Sequence, residues 1–206
     1  VEAYKLGYAM CMLPQKYGGG GISNIDLNIF AEELCVVDPG FACVVLVNGL
    51  AMMPLLWFGT EEQKKRFFGM ATSDPSGEFL CGWVVSEPAG TPGGTACFDH
   101  PDAHPAGIGV TATYDATTDE YVLNGRKYWP SNAGGWDLKG ANLNTVIVRH
   151  APQKGGIEGL SAIIVERGTP GQFFEPPIDK LGHRLNQNTH IRYEDCRVPA
   201  ANLFAE

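Results

Sequence analysis

Residues 41 to 58, FACVVLVNGLAMMPLLWF, form an almost unbroken apolar run, and any fold of this chain has to shelter it from water. A membrane span needs about 20 such residues. Asn48, Gly49 and Pro54 interrupt the run and no basic flank precedes it, so the expectation is a fully buried helix and no membrane span. That demands enough chain to surround it. With 206 residues, 44% hydrophobic and 18% charged, there is material for one large or two small cored domains of about 100–200 residues. A net charge of −8, uncompensated by any basic stripe, argues against nucleic acid as a partner.

The first third of the chain reads as helix. After GGGGISN, the residues Leu27, Phe30, Ala31, Leu34 and Val37 recur at steps of three and four, with Glu32 and Glu33 on the opposite face, until VDPG stops the pattern. Thr60 followed by Glu61, Glu62 and Gln63 is a capping-box start, and Lys64, Lys65 and Arg66 follow, which predicts an amphipathic surface helix. From Gly77 the grammar becomes that of short strands: EFLCGWVVS, GVTATYD, EYVLNGRKYW, NTVIVRH, LSAIIVER, QFFEPP and HIRYEDCRVP, separated by Gly, Pro, Asp and Asn. The fold class expected is therefore α+β and multidomain: an all-α helical domain over residues 1–75, then an antiparallel β-barrel or sandwich over residues 76–206. Within the latter, Asn124-Gly125 predicts a two-residue hairpin turn.

The six cysteines are scattered without a CxxC pair and read as reduced, buried thiols. No leader pattern opens the chain, which starts at Val1 just before another apolar stretch, so a missing first segment is expected and the helical domain is incomplete at its start.

Three segments combine a strand end with Gly-, Pro- or Ser-rich backbone: residues 82–95, 127–136 and 181–199. Loops of this kind offer backbone N–H groups and small hydroxyls to a ligand from a rigid base, although each taken singly also reads as an ordinary turn. In KYWPSN, Pro130 should press Trp129 toward extended geometry, giving an aromatic plane suited to a flat heterocycle, with the Ser131 hydroxyl and the Asn132 amide just beyond. Cys97, His100 and His104 have a spacing that zinc accepts, but three ligands on an Asp- and Pro-rich loop read better as solvated surface, and no metal is expected.

The order of several motifs resembles the acyl-CoA dehydrogenase family. LPQKYGGGGIS is similar to its Pro-x-x-x-Gly-Gly entry, FAEEL to its Ser/Ala-Glu-Glu-Leu helix, and FGTEEQKKRF to its Gly-x-x-x-Gln-Lys helix start. SEPAG resembles Thr-Glu-Pro-Gly-Ala-Gly-Ser, LNGRKYWPSN resembles (Leu/Ile)-Asn-Gly-x-Lys-x-(Trp/Phe)-Ile-(Thr/Ser)-Asn, and YEDCRVP resembles Phe-(Glu/Asp)-Asp-Val-x-Val-Pro. The resemblance implies a flavoprotein with a helical domain, a middle β-domain and a C-terminal helical bundle. It implies FAD as cofactor, with Trp83, Val85 and Ser86 toward the pyrimidine side of the isoalloxazine, Trp129 over one face, Pro130 beside it and the Ser131 hydroxyl near N5. Preorganised donors there would stabilise the charge of the reduced ring. The activity implied is α,β-dehydrogenation of an acyl-CoA thioester, with hydride passing to the flavin and electrons to an electron-transfer flavoprotein. A homo-oligomer, dimer or tetramer, in the cytoplasm, the mitochondrial matrix or a peroxisome goes with that reading.

Several departures from the pattern matter. Pro92 falls where the family's substrate-binding serine stands, which leaves Thr91 and Pro92 as candidate substrate contacts and Thr95 as another possible hydroxyl. Asn186 replaces a serine after Arg184, for which no catalytic role is expected. The bundle that carries the family's catalytic glutamate has no counterpart in these residues, so no base is nominated, and Glu87 is expected to bond the backbone of its own turn. An acyl-CoA oxidase or flavin monooxygenase of the same fold, and a non-catalytic subunit that kept the scaffold, are the alternatives.

Overall fold

The computed structural model describes residues 1–89, 91 and 107–204. Pro92, Thr95 and the Cys97, His100 and His104 set lie outside the described residues. The helical part comprises α1 (Glu2–Lys5), α2 (Asn24–Val37), α3 (Pro39–Phe58) and α4 (Glu61–Thr72), with two 3-10 turns between the first two. Local chemistry sets these boundaries. The Ser23 hydroxyl accepts the Asp26 N–H to open α2, and the Asp38 carboxylate accepts the Phe41 N–H at 2.7 Å, with Pro39 at the first turn, to open α3. Thr60 and Gln63 form the reciprocal capping box expected of α4.

Which faces are sheltered differs from expectation. The predicted stripe of α2 is half-buried at Leu27, Phe30, Ala31 and Leu34, but Val37 is exposed and no residue of α2 is fully buried. Helix α3 is long and apolar enough to cross a membrane, yet it is sheltered along one side only, by the sheet, by α2 and by the segment around the first 3-10 turn, at Ala42, Val45, Asn48, Gly49, Met52 and Leu55. Leu50, Trp57 and Phe58 remain exposed, so the helix is not fully buried: the described residues cover a single side of it. Cys35 is likewise exposed, and Cys43 half-buried, whereas Cys11, Cys81 and Cys196 are buried as expected.

All seven strand-like stretches are strands: β1 (Cys81–Val84), β2 (Thr111–Asp115), β3 (Glu120–Lys127), β4 (Leu143–Arg149), β5 (Leu160–Glu166), β6 (Gln172–Phe174) and β7 (Ile191–Pro199). They form one curled sheet in the order β1-β4-β2-β3-β7-β6, with β5 also on β4. It is mixed rather than purely antiparallel, because β4 pairs parallel with β1 and, at Thr111 and Arg149, with β2. β4 and β5 read as continuous apolar runs because both their faces are covered. Leu143 and Ile164 face the helices, in a core with Leu13, Met52, Leu55, Phe67 and Phe68, while Val146, Val148, Ile163 and Val165 point into the curl with Leu123, Ile191 and Val198.

Asn124-Gly125 is not a hairpin turn. Both residues lie inside β3, opposite a bulge in β7 where the register steps from Leu123–Cys196 to Gly125–Tyr193. The Asn124 amide closes the bulge by exchanging hydrogen bonds with Asp195, whose φ is 46°. Gly125, at φ 136°, passes so close to Val110 that a Cβ would stand 2.9 Å from its methyl carbon. The true turn is residues 116–119, joining β2 to β3.

Candidate functional site

The ends of β1 and β3 emerge side by side and are tied together: the Tyr128 N–H donates to the Ser86 carbonyl at 2.8 Å. Beneath them lies an ion pair with no access to water. The Lys127 ammonium, fully buried, donates to Glu87 Oε1 and to the Val85 carbonyl, each at 2.9 Å. The Glu87 carboxylate, 1% exposed, also accepts the Gly109 N–H at 2.7 Å and the Val110 N–H at 2.8 Å. Burial pulls the Lys127 pKa down from 10.5 to about 8, opposed by the attraction of Glu87. Glu87 is thus a structural carboxylate, but the backbone it bonds is that of Gly109 and Val110 rather than its own turn as expected, and Lys127 fixes where residues 85 and 86 lie.

Beyond β3 the backbone turns sharply. Trp129 has φ 46° and Asn132 φ 61°, both in the left-handed region. Trp129 is therefore not held extended by Pro130. Longer-range bonds override the local preference: the Trp129 N–H meets His190 Nδ1 at 3.3 Å, and its carbonyl accepts from the Asn188 amide. The indole is about half exposed and lies edge-on to Tyr128, which stacks on His190 at 3.9 Å between ring centroids. Ser131 bridges to Asn188, and its hydroxyl oxygen accepts from the Asn186 and Asn188 side chains.

Helix α3 supplies the remaining wall. Asn132, 4% exposed, donates to the Val44 carbonyl at 2.9 Å, and the Cys81 N–H donates to Asn48 Oδ1 at 2.7 Å. The result is a cleft of about 340 Å³ lined by Val47, Leu50, Trp83, Val85, Ser86, Tyr128, Trp129, Pro130 and Ser131, small for a ligand pocket. All six residues expected near a cofactor, Trp83, Val85, Ser86, Trp129, Pro130 and Ser131, face this one space. Thr91 does not line it, since its hydroxyl turns to the Pro88 carbonyl at 2.7 Å. Arg184 is exposed, bonded to the Lys180 carbonyl and near Asp179.

Sequence reasoning missed Val47, Leu50 and Tyr128 on the wall, and Lys180, Asn186, Asn188 and His190 behind it. For Tyr128 a signal existed, its place beside Trp129; Asn188 lies 59 residues from the carbonyl it holds, and no local pattern announces it. Among the described residues no group of His, Cys, Asp or Glu is arranged to hold a metal. The cleft's features, an indole, a second tryptophan, apolar walls and a serine hydroxyl, fit a flat aromatic heterocycle with polar ring atoms.

A helical domain docked on a curled mixed sheet, with such a cleft at the strand ends, defines a two-layer α+β architecture. Family models fit it in order: "Acyl-CoA dehydrogenase, N-terminal domain" matches residues 1–74 and "Acyl-CoA dehydrogenase, middle domain" residues 102–196. The chain belongs to the acyl-CoA dehydrogenase family. It is 31% identical over 206 residues to the isobutyryl-CoA dehydrogenase of Dictyostelium discoideum, covering 100% of this chain and 44% of that one. An acyl-CoA dehydrogenase from Bacillus anthracis complexed with FAD is 29% identical and superposes with a TM-score of 0.79 over 100% of this chain and 31% of that one. A nitroalkane oxidase crystallised with 1-nitrooctane is 27% identical, with a TM-score of 0.85 over 100% of this chain and 49% of that one. The chain spans about half the length of the curated relatives it matches.

Proposed function

We propose that this chain forms the flavin-cradling part of an FAD-dependent acyl-CoA dehydrogenase that converts an acyl-CoA thioester to its α,β-unsaturated form. The observation that carries this is the convergence of Trp83, Val85, Ser86, Trp129, Pro130 and Ser131 on a single cleft. A relative of the same fold is complexed with FAD. In the dehydrogenation FAD supplies the hydride acceptor. The chain's own residues bind and orient: Trp129 offers a plane, Ser131 a hydroxyl, and the Lys127–Glu87 pair holds the backbone of residues 85 and 86 against one edge. Leu50 and Val47 form the apolar α3 side of the cleft. Glu87 is committed to Lys127 and two backbone amides, so removal of the substrate α-proton is assigned to no residue here. Electron transfer to an electron-transfer flavoprotein and assembly as a homo-oligomer belong to the same reading.

The test is reconstitution of the holoprotein with FAD, followed by desalting and anaerobic addition of acyl-CoA thioesters. A retained flavin band that bleaches on addition supports the reading. Failure to bind FAD on titration overturns it. The likeness of the whole chain to a nitroalkane oxidase, at 27% identity and a TM-score of 0.85, supports a second reading, an oxidase of the same fold. Oxygen consumption without an added electron carrier selects that reading.

A further inference from the structure

A serine hydroxyl has one proton to give and two lone pairs with which to accept. In Ser131 both lone pairs are used inside the chain, by the Asn186 amide at 2.9 Å and the Asn188 amide at 3.2 Å. Only the proton is left for the cleft. The orientation of Asn188 follows from its neighbours. Its Oδ1 accepts from the Lys180 ammonium, which has no capacity to accept, so its NH₂ must face the Trp129 carbonyl and the Ser131 oxygen. Lys180 is anchored in turn on the Asn186 carbonyl, within the same loop.

We propose that Lys180 and Asn188 are positioning residues that restrict Ser131 to donating a hydrogen bond into the cleft. The ligand atom facing Ser131 must then carry a lone pair, because an N–H placed there would meet an oxygen with no lone pair to spare. Resting on the reading that the cleft holds a flavin, the inference gives this loop a redox consequence. The oxidised ring presents acceptor nitrogens, whereas two-electron reduction places hydrogen on one of them, so a donor-only serine holds the oxidised cofactor more tightly than the reduced one. The midpoint potential is thereby set low by a lysine and an asparagine that touch no part of the cofactor.

In the holoprotein, Asn188→Ala frees one lone pair of Ser131. The affinity ratio of reduced to oxidised FAD should rise about five-fold, the worth of one hydrogen bond, which is roughly 20 mV upward at 29.6 mV per decade. Lys180→Met, which releases the Asn188 amide to rotate, should shift the potential in the same direction and carries the test if Asn188→Ala does not fold by circular dichroism. Ser131→Ala should also raise the potential, and in that background Asn188→Ala and Lys180→Met should add nothing, an outcome that a general loosening of the loop would not give. Undiminished shifts in the Ser131→Ala background overturn the proposal, as do unchanged potentials in folded, FAD-loaded Asn188→Ala and Lys180→Met variants. A potential unmoved by Ser131→Ala also overturns it, since it would mean that Asn186, whose buried Oδ1 has no partner among the described residues, takes the serine proton instead. If the unmodified holoprotein binds no FAD, the flavin reading itself fails, and that result is read before any variant is compared.

Discussion

Replacing Lys127 with methionine isolates the buried ion pair beneath the cleft. Methionine keeps most of the side-chain volume, so the cavity contribution is small and the change is chiefly loss of a charge and of two hydrogen bonds. Glu87 would then be a carboxylate 1% exposed to solvent that has lost its ammonium, with the backbone N–H groups of Gly109 and Val110 among its remaining partners. Breaking a buried pair by removing one partner costs about 3–5 kcal/mol. The lower end applies, because two amide donors at 2.7 and 2.8 Å still solvate the carboxylate. Removing an ammonium that burial has already pulled to a pKa of about 8 also relieves part of the strain. A loss of about 3 kcal/mol corresponds to a fall of roughly 1–3 M in the urea midpoint at slopes of about 1–3 kcal/mol/M. Tryptophan fluorescence follows it, since Trp83 and Trp129 both line the cleft. In the double variant Lys127→Met with Glu87→Gln the buried charge is gone, but the amide oxygen can serve only one of the two backbone N–H groups, which reach different carboxylate oxygens, and the NH₂ faces the other, so the two effects oppose each other. A single variant that loses less than about 1 kcal/mol would refute the assignment of the cost to an uncompensated carboxylate.

Three further outcomes follow from the same geometry. The folded pKa of Lys127, about 8, lies below its ordinary 10.5, so between those values the unfolded chain binds the extra proton and this group makes stability rise with pH; the urea midpoint of the parent chain should climb across that window more steeply than that of Lys127→Met, and parallel slopes would count against the depressed pKa. Asn48→Leu leaves the buried Cys81 N–H without its 2.7 Å acceptor and should cost about 1–3 kcal/mol by urea unfolding. Gly125→Ala, with a Cβ 2.9 Å from the Val110 methyl carbon at φ 136°, should destabilise by about 1–3 kcal/mol, whereas Gly69→Ala on α4, where a Cβ meets nothing within 4 Å, should stabilise by up to about 1 kcal/mol.

What could be read from the chain was what local chemistry decides. The Thr60 capping box and the alternation of the strands are settled within a few residues, and the structure keeps both, whereas Glu87 bonds amides 22 and 23 residues away rather than its own turn. Asn124-Gly125 misled because the dipeptide that favours a tight turn also suits a strand facing a bulge; the choice was made by Asp195, 71 residues away. Trp129-Pro130 misled for a similar reason. Proline biases its predecessor toward extended backbone, but that bias is small beside bonds to Asn188 and His190 that fix the tryptophan on both sides of its peptide. Six of the nine residues lining the cleft fall in the strand-end segments that the sequence singles out, and their roles were implied by the family resemblance. The polar groups that orient them were not legible, because amides scattered along a loop carry no periodicity.

Helix α3 shows why polar residues in an apolar segment carry positional information. With apolar side chains on nearly every side, hydrophobic burial alone distinguishes weakly between rotations of the helix and between positions one turn apart along its axis, since it is roughly proportional to area and has no direction. Hydrogen bonds do have direction. Asn48 can accept from the Cys81 N–H only with the helix turned as it is, and the Val44 carbonyl can reach the Asn132 amide only at this axial position. Shifting the helix by one turn, about 5.4 Å, would break both and leave buried polar groups unsatisfied, at about 1–3 kcal/mol each. Those two bonds join α3 to the start of β1 and to the turn that follows Ser131, so the distance from Val47 and Leu50 to the rest of the cleft is set by asparagines rather than by the apolar contact that makes up most of the interface. Asn48, one of the three residues that interrupt the apolar run, is therefore also one of the residues that shape the site.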